Sequence, residues 1–173
     1  SVMSGYWGDA EATAGVLSSD GWLNTGDLGY RVEDSIVITG REKDHMIING
    51  RNIWPQDLEY IAEKQPEVRT GDASAFSVPG PDGKEKAVMV IQCRVSDEAK
   101  RARLSENVKR LVREELGISC FVELVPPRTL PRTSSGKLSR SGAQKEYLER
   151  IAAERSSGPA EDLYAATLRR RAV

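Results

Sequence analysis

The chain is poor in the residues that usually carry cross-links and metals. Its 173 residues include two cysteines and one histidine, and Phe, Trp and Tyr together make up 6%. Cys93 and Cys120 each sit in an apolar run, too few and too far apart for a disulfide scaffold, and read as buried free thiols of a reducing compartment. His45, alone and without cysteines at ligand spacing, leaves no metal site to assign. No apolar run approaches the roughly 18–20 residues of a membrane span. Net charge is nearly absent as well, −1 from 25 Lys and Arg against 26 Asp and Glu. Counted without Tyr and with Gly, the apolar share is about 45%, which is ordinary for a globular chain and makes collagen and intrinsic disorder poor readings. The expectation is a folded cytoplasmic protein.

The near-zero charge hides an asymmetry. Residues 1–127 carry 15 Lys and Arg against 21 Asp and Glu, whereas residues 128–173 carry 10 against 5. A basic end can serve nucleic acid, an anionic surface or a phosphorylated ligand. For nucleic acid it lacks stacking residues, since Tyr147 and Tyr164 are its only aromatics, and no nucleic-acid partner is expected. Arg169, Arg170 and Arg171 read as a solvated helix face.

Local patterning predicts an α+β chain. Residues 5–29 are punctuated by Gly, Ser, Asp and Asn and read as loop, followed by a β-hairpin from Tyr30-Arg31-Val32 and Ile36-Val37-Ile38-Thr39 across a polar turn. Met46-Ile47-Ile48 is a further short strand stopped by Asn49-Gly50, the dipeptide that best accepts positive φ. Pro55 opens a helix with Leu58, Ile61 and Ala62 on one face. Strands follow at residues 72–79 and 86–95, the second nearly all apolar and therefore central. Leu104, Val108, Leu111, Val112 and Leu116 share a face of a helix over residues 97–116, with Gly117 at its C-terminal cap. A strand over Phe121–Val125 and a helix over residues 139–155 complete a small domain whose central, mostly antiparallel sheet is packed by helices.

Three segments carry chemistry. Leu130-Pro131-Arg132-Thr133-Ser134-Ser135-Gly136-Lys137-Leu138 is a small, hydroxylated loop whose N–H groups can face an anion, with a lysine as a mobile charge. It is not a P-loop: the first glycine of that motif is missing and Leu138 stands where Ser or Thr would hold magnesium. Alone, it is equally a surface turn with an ordinary lysine. Asp27, in Gly26-Asp27-Leu28-Gly29, is a carboxylate able to accept from a vicinal diol, or a turn cap. Arg41, in Gly40-Arg41-Glu42-Lys43-Asp44, is a multiple donor, or a surface ion-pair partner.

In this order the three segments resemble the adenylate-forming superfamily of acyl-CoA synthetases, nonribosomal-peptide adenylation domains and luciferases. Matching residues run from Val2 to Arg140. The resemblance implies that Asp27 binds the ribose hydroxyls of ATP and acyl-AMP, and that Arg41 contacts the same nucleotide. Lys43 falls at the family's hinge, where Asp is common and Lys is a variant. Lys137 matches the lysine of the adenylation half-reaction, between the substrate carboxylate and the α-phosphate. After rotation about the hinge, Asn49, Gly50 and Arg51 would face the active site for thiol transfer, Gly50 letting a pantetheine arm pass.

Gly50-Arg51-Asn52-Ile53-Trp54-Pro55-Gln56-Asp57-Leu58-Glu59 looks most like fatty acyl-AMP ligases and long-chain acyl-CoA synthetases. Its implied partners are a fatty acid, ATP with Mg2+, and coenzyme A or the phosphopantetheine of an acyl carrier protein. Residues 1–42 would be the closing segment of a large N-terminal adenylation domain, residues 43–155 the small mobile domain, and residues 156–173 a helical or disordered tail. The family's phosphate loop and acyl pocket lie upstream of anything present, so the isolated chain is expected to be inactive. Two alternatives remain open: a binding or regulatory module that keeps the fold without catalysis, and an adenylation domain for an amino or aryl acid.

Overall fold

Residues 3–156 are described by a computed structural model, and they form two compact units, Ser1–Lys43 and Asp44–Val173 by chain position. The expected tail beyond Ser156 lies outside the described residues.

The first unit begins with a helix where the sequence reads as loop. α1 (Ala10–Val16) starts at Asp9, whose carboxylate accepts the Ala12 N–H at 2.8 Å. Ala10, Glu11 and Ala12 are strong helix formers behind a good cap, which suffices for two turns. None of its residues is buried, so the apolar periodicity that reveals longer helices is missing. β1 (Asp27–Val32) and β2 (Ser35–Arg41) then pair antiparallel, with a register shift between Leu28 and Gly29. At that bulge a Cβ on Gly29 would lie 2.6 Å from the Val37 carbonyl oxygen. Glycine is therefore required there.

The second unit opens with β3 (Met46–Ile48) and β4 (Arg51–Ile53), joined by Asn49 and Gly50 at φ 52° and 74°. Two consecutive positive φ angles make the tight turn whose twist matches a hairpin. α2 (Pro55–Glu63) follows and buries Pro55, Leu58, Ile61 and Ala62.

β5 (Ala73–Pro79) and β6 (Glu85–Gln92) are antiparallel, while β7 (Cys120–Val125) lies parallel to β6 on its other side. A parallel neighbour needs a crossover, and α3 (Glu98–Leu116) supplies it, capped by the Asp97 carboxylate on the Lys100 N–H and ended by Gly117 at φ 66°. The other strand pairs are antiparallel, so β6–β7 is the exception to the expected pairing.

Alternation along the strands sends side chains into two cores. Ala75, Met89, Ile91 and Val122 join Leu58, Ile61, Val108 and Val112 of α2 and α3. Phe76, Val78, Val88 and Val90 face the other way, against Leu130 and the Ala143, Tyr147 and Ile151 side chains of α4 (Arg140–Ser156). Phe76 and Tyr147 meet edge to face at 5.6 Å. The three-stranded sheet is thus covered on both faces. Cys93 and Cys120 are free and buried, and burial pushes the Cys120 thiol up to about 12 against the lowering effect of Lys109 and Arg113. No helix among the described residues is long and apolar enough to cross a membrane.

Candidate functional site

Asp27, the first residue of β1, and Arg41, the last of β2, face each other as direct partners at the open end of the hairpin. Ahead of Asp27, Asn24 Oδ1 accepts the Gly26 N–H at 2.8 Å and Thr25 Oγ1 accepts the Asp27 N–H at 3.2 Å. These short side-chain turns, with Gly26 at φ 68°, end the loop and start the strand. Arg41 Nε then lies 3.1 Å from Asp27 Oδ1, with the arginine 54% and the aspartate 33% exposed. The Asp27 carboxylate is therefore paired rather than spent as a turn cap. So open a pair contributes at most about 1 kcal/mol to folding, and both side chains remain available to a ligand. Lys43 is the last residue of the first unit, exposed, in a short 3-10 turn over Glu42–Asp44.

The Lys137 loop belongs to the second unit and is pinned at its base. A bridge joins Arg132 to Leu138, the Thr133 N–H donates to the Lys137 carbonyl at 2.8 Å, and the Gly136 N–H to the Thr133 carbonyl at 2.8 Å. Those two amides are spent inside the turn, so they do not face an anion as the composition of the loop led us to expect. Gly136 takes φ 80°, which a side chain would resist. Lys137 itself is exposed and forms no ion pair with another described residue, which leaves its ammonium for a ligand.

Three ties fix the loop to the sheet layer, and none was anticipated from the sequence. Buried Gln92 accepts the Leu130 N–H at 3.1 Å and donates to Asp72 Oδ1 at 2.7 Å. Arg132 spans the turn to the Gly136 carbonyl and reaches the Gly71 carbonyl, both at 2.9 Å. Arg140, three residues after Lys137, donates to both Glu59 carboxylate oxygens at 2.7 Å and to Asp44 Oδ2 at 2.9 Å. The Glu59 hydrogen bonds, outweighing burial and reinforced by Asp44, push the Arg140 guanidinium well above its ordinary value. Partners 81 and 96 positions away leave no local pattern in the sequence.

Asn49 and Gly50 form the exposed β3–β4 turn, and a Cβ at Gly50 would meet nothing. The turn itself accounts for Gly50, and the space beside it is open. Arg51 points elsewhere: a Cβ on Gly117 would overlap its guanidinium, which places that cation at the C-terminal cap of α3, where a positive charge is favoured. Three cations of the basic end are committed among the described residues. Arg140 and Arg150 bind carboxylates of other elements and Lys145 pairs with Glu149.

No family model matches the chain. A protein of Caulobacter vibrioides (strain NA1000 / CB15N) named "putative acyl-CoA synthetase" is 50% identical over 149 residues, covering 86% of this chain and 26% of that protein. A medium-chain-fatty-acid–[acyl-carrier-protein] ligase of Moorena producens (strain JHB) is 34% identical over 161 residues, covering 86% and 27%. A solved structure from a study of fatty acyl-adenylate ligases of E. coli and L. pneumophila superposes with a TM-score of 0.76 at 47% identity, covering 88% of this chain and 27% of that one. The chain spans about a quarter of the length of the curated relatives it matches.

Proposed function

Because the chain belongs to the adenylate-forming superfamily, among its acyl-CoA synthetases and fatty acyl-AMP ligases, we propose that it is the C-terminal portion of an ATP-dependent ligase. That ligase activates a long-chain fatty acid as acyl-AMP and passes the acyl group to a thiol. The observation that carries this reading is an exposed Lys137, without an ion pair among the described residues, on the returning arm of a loop that is tied down at its base.

In the first half-reaction the fatty acid carboxylate attacks the α-phosphorus of ATP, and the bond to the β-phosphate breaks as pyrophosphate leaves with the electron pair. Lys137 lies between the two anionic reactants and neutralises the charge that gathers as they approach. Asp27 accepts from the ribose hydroxyls, and Arg41, already paired with it, holds the carboxylate in place and contacts the nucleotide. As the family resemblance implies, the magnesium that accompanies ATP is held mainly by the larger N-terminal domain. The second half-reaction forms the carbon–sulfur bond as AMP leaves and the thiol proton passes to solvent. It follows rotation at Lys43, which takes Lys137 away and brings the Asn49–Gly50–Arg51 turn to the site.

The exposed Tyr30, Val32, Ile36 and Ile38 of the hairpin support residues 1–42 as the edge of that larger domain, which would cover them. The two curated relatives divide on the acceptor, coenzyme A in one name and an acyl carrier protein in the other. Either thiol suits the turn, and comparing both acceptors with the full-length enzyme decides between them. Without the larger domain to position ATP, the 173-residue chain by itself has no pyrophosphate exchange above a no-protein control.

The test is Lys137→Ala in the full-length enzyme. We expect fatty-acid-dependent ATP–pyrophosphate exchange to fall on the order of 10²–10³-fold, while thioester formation from supplied acyl-AMP is largely kept. Equal losses in the two assays would sink the role given to Lys137.

A further inference from the structure

Arg140 is an expensive residue where it stands. It is the first residue of α4, whose first turn has no acidic side chain, and a cation at the positive end of a helix dipole is unfavourable. Capping does not need it: the Ser139 side chain accepts the Gly142 N–H at 3.1 Å and the Ser139 carbonyl accepts the Ala143 N–H at 2.9 Å. The guanidinium is instead committed to two carboxylates from distant parts of the chain, all three side chains being 26% exposed or less.

Each partner has a place of its own. Glu59 is on α2 and its Oε1 also accepts the Ala75 N–H of β5 at 3.0 Å, so that carboxylate is anchored to the sheet. Asp44 is the first residue of the second unit and follows Lys43 directly. On the other side, three residues of chain reach no further than about 11 Å, so Lys137 stays within that distance of the Arg140 backbone. The forked guanidinium thus has the Lys137 loop at its own backbone, the sheet on one carboxylate and the start of the second unit on the other. Lysine, a single point charge, cannot make all three of these bonds in one geometry.

We propose that Arg140 is a positioning residue, which through Glu59 and Asp44 locks the Lys137 loop to the residue following the hinge so that both move as one rigid piece. The inference rests on the adenylation role of Lys137. Its consequence is that a hinge rotation ending in the adenylation state delivers Lys137 to a defined place, with no further search by the loop. Loosening either arm costs adenylation and leaves the thiol step, which does not use Lys137.

The experiment compares Arg140→Lys, Asp44→Asn, the double variant and Lys137→Ala in the full-length enzyme. It reads pyrophosphate exchange, thioester formation from supplied acyl-AMP, and the melting temperature. Arg140→Lys and Asp44→Asn are each expected to lower exchange on the order of 10–10²-fold, the usual cost of a catalytic group misplaced by about an ångström. Thioester formation stays within about twofold, and the double variant loses no more exchange than the more impaired single one because both cut the same tie. Parallel loss of both half-reactions with a lowered melting temperature would make Arg140 merely structural and overturn the proposal, as would unchanged exchange. An effect of Arg140→Lys without one of Asp44→Asn removes the link to the hinge and overturns it too. If Lys137→Ala leaves exchange intact, the reading of Lys137 fails on its own account and takes this inference with it.

Discussion

β2 and β6 are made of the same kinds of residue and end in opposite surroundings. Ile36, Val37 and Ile38 of β2 are 76%, 38% and 62% exposed, whereas Val88, Met89, Val90 and Ile91 of β6 are at most 1% exposed. Residue type does not separate them, because both runs are apolar and mostly β-branched and both pair into ladders. Cover does. The second unit carries α2 and α3 for one face of its sheet and α4 for the other, while the described residues of the first unit include one α-helix, α1, which is short and buries none of its residues. The candidate site residues follow the same division: Asp27 and Arg41 form one open ion pair on the bare hairpin, and Lys137 rides on a loop fixed by three separate ties.

Several substitutions can break or sharpen this contrast. The largest effect is expected from Leu58→Ala, which removes a fully buried side chain between α2 and the sheet. It should cost the second unit about 2–5 kcal/mol, read as a shifted urea midpoint by far-UV circular dichroism, and a shift below about 1 kcal/mol would contradict the packing described.

Asp27→Ala comes next and separates binding from stability. In the full-length enzyme the KM for ATP should rise about tenfold, as when hydrogen bonds to a charged group are lost. The melting temperature should hardly move, since an exposed ion pair contributes about 1 kcal/mol or less. A large drop in melting temperature with unchanged KM would reassign Asp27 to structure.

Ile36→Ser addresses the bare hairpin directly. In the 173-residue chain its effect on stability should stay within about 0.5 kcal/mol, and it should grow to about 1–3 kcal/mol in the full-length protein if a larger domain covers the residue. Equal shifts in the two proteins would remove the covering domain from the interpretation.

The smallest effect concerns Cys120. Burial pushes its thiol up to about 12, so the neutral form is the one the fold prefers. The sign follows: its contribution to stability is complete below pH 9 and is lost as pH rises from there toward 12. Around pH 8 it should resist iodoacetamide in the folded chain and react only in denaturant; rapid labelling of the native protein would show the site to be open.

Much of the second unit was legible because its elements are amphipathic with regular periods. Leu58, Ile61 and Ala62 mark α2, the Leu104–Val108–Val112 stripe marks α3, and the apolar run of β6 declares a strand covered on both sides. The Asn49-Gly50 turn could be read from two residues, because positive φ at both is a local property of that dipeptide. α1 escaped for the converse reason: a helix that buries nothing has no period to display. Asp27, Arg41 and Lys137 could be nominated from their motifs, but each alone had a bland alternative, of equal standing for Lys137 and the commoner reading for Asp27 and Arg41.

What the sequence determined by itself, then, were the quantities set within a few residues: periods, caps, turns and the order of the three motifs. The tertiary structure alone decided which distant polar groups meet. Arg140 reaches Glu59 across 81 positions and Asp44 across 96, and Gln92 holds Leu130 across 38. Separations of that size are closed by the packing of the sheet and its helices, and no local preference of the chain encodes them.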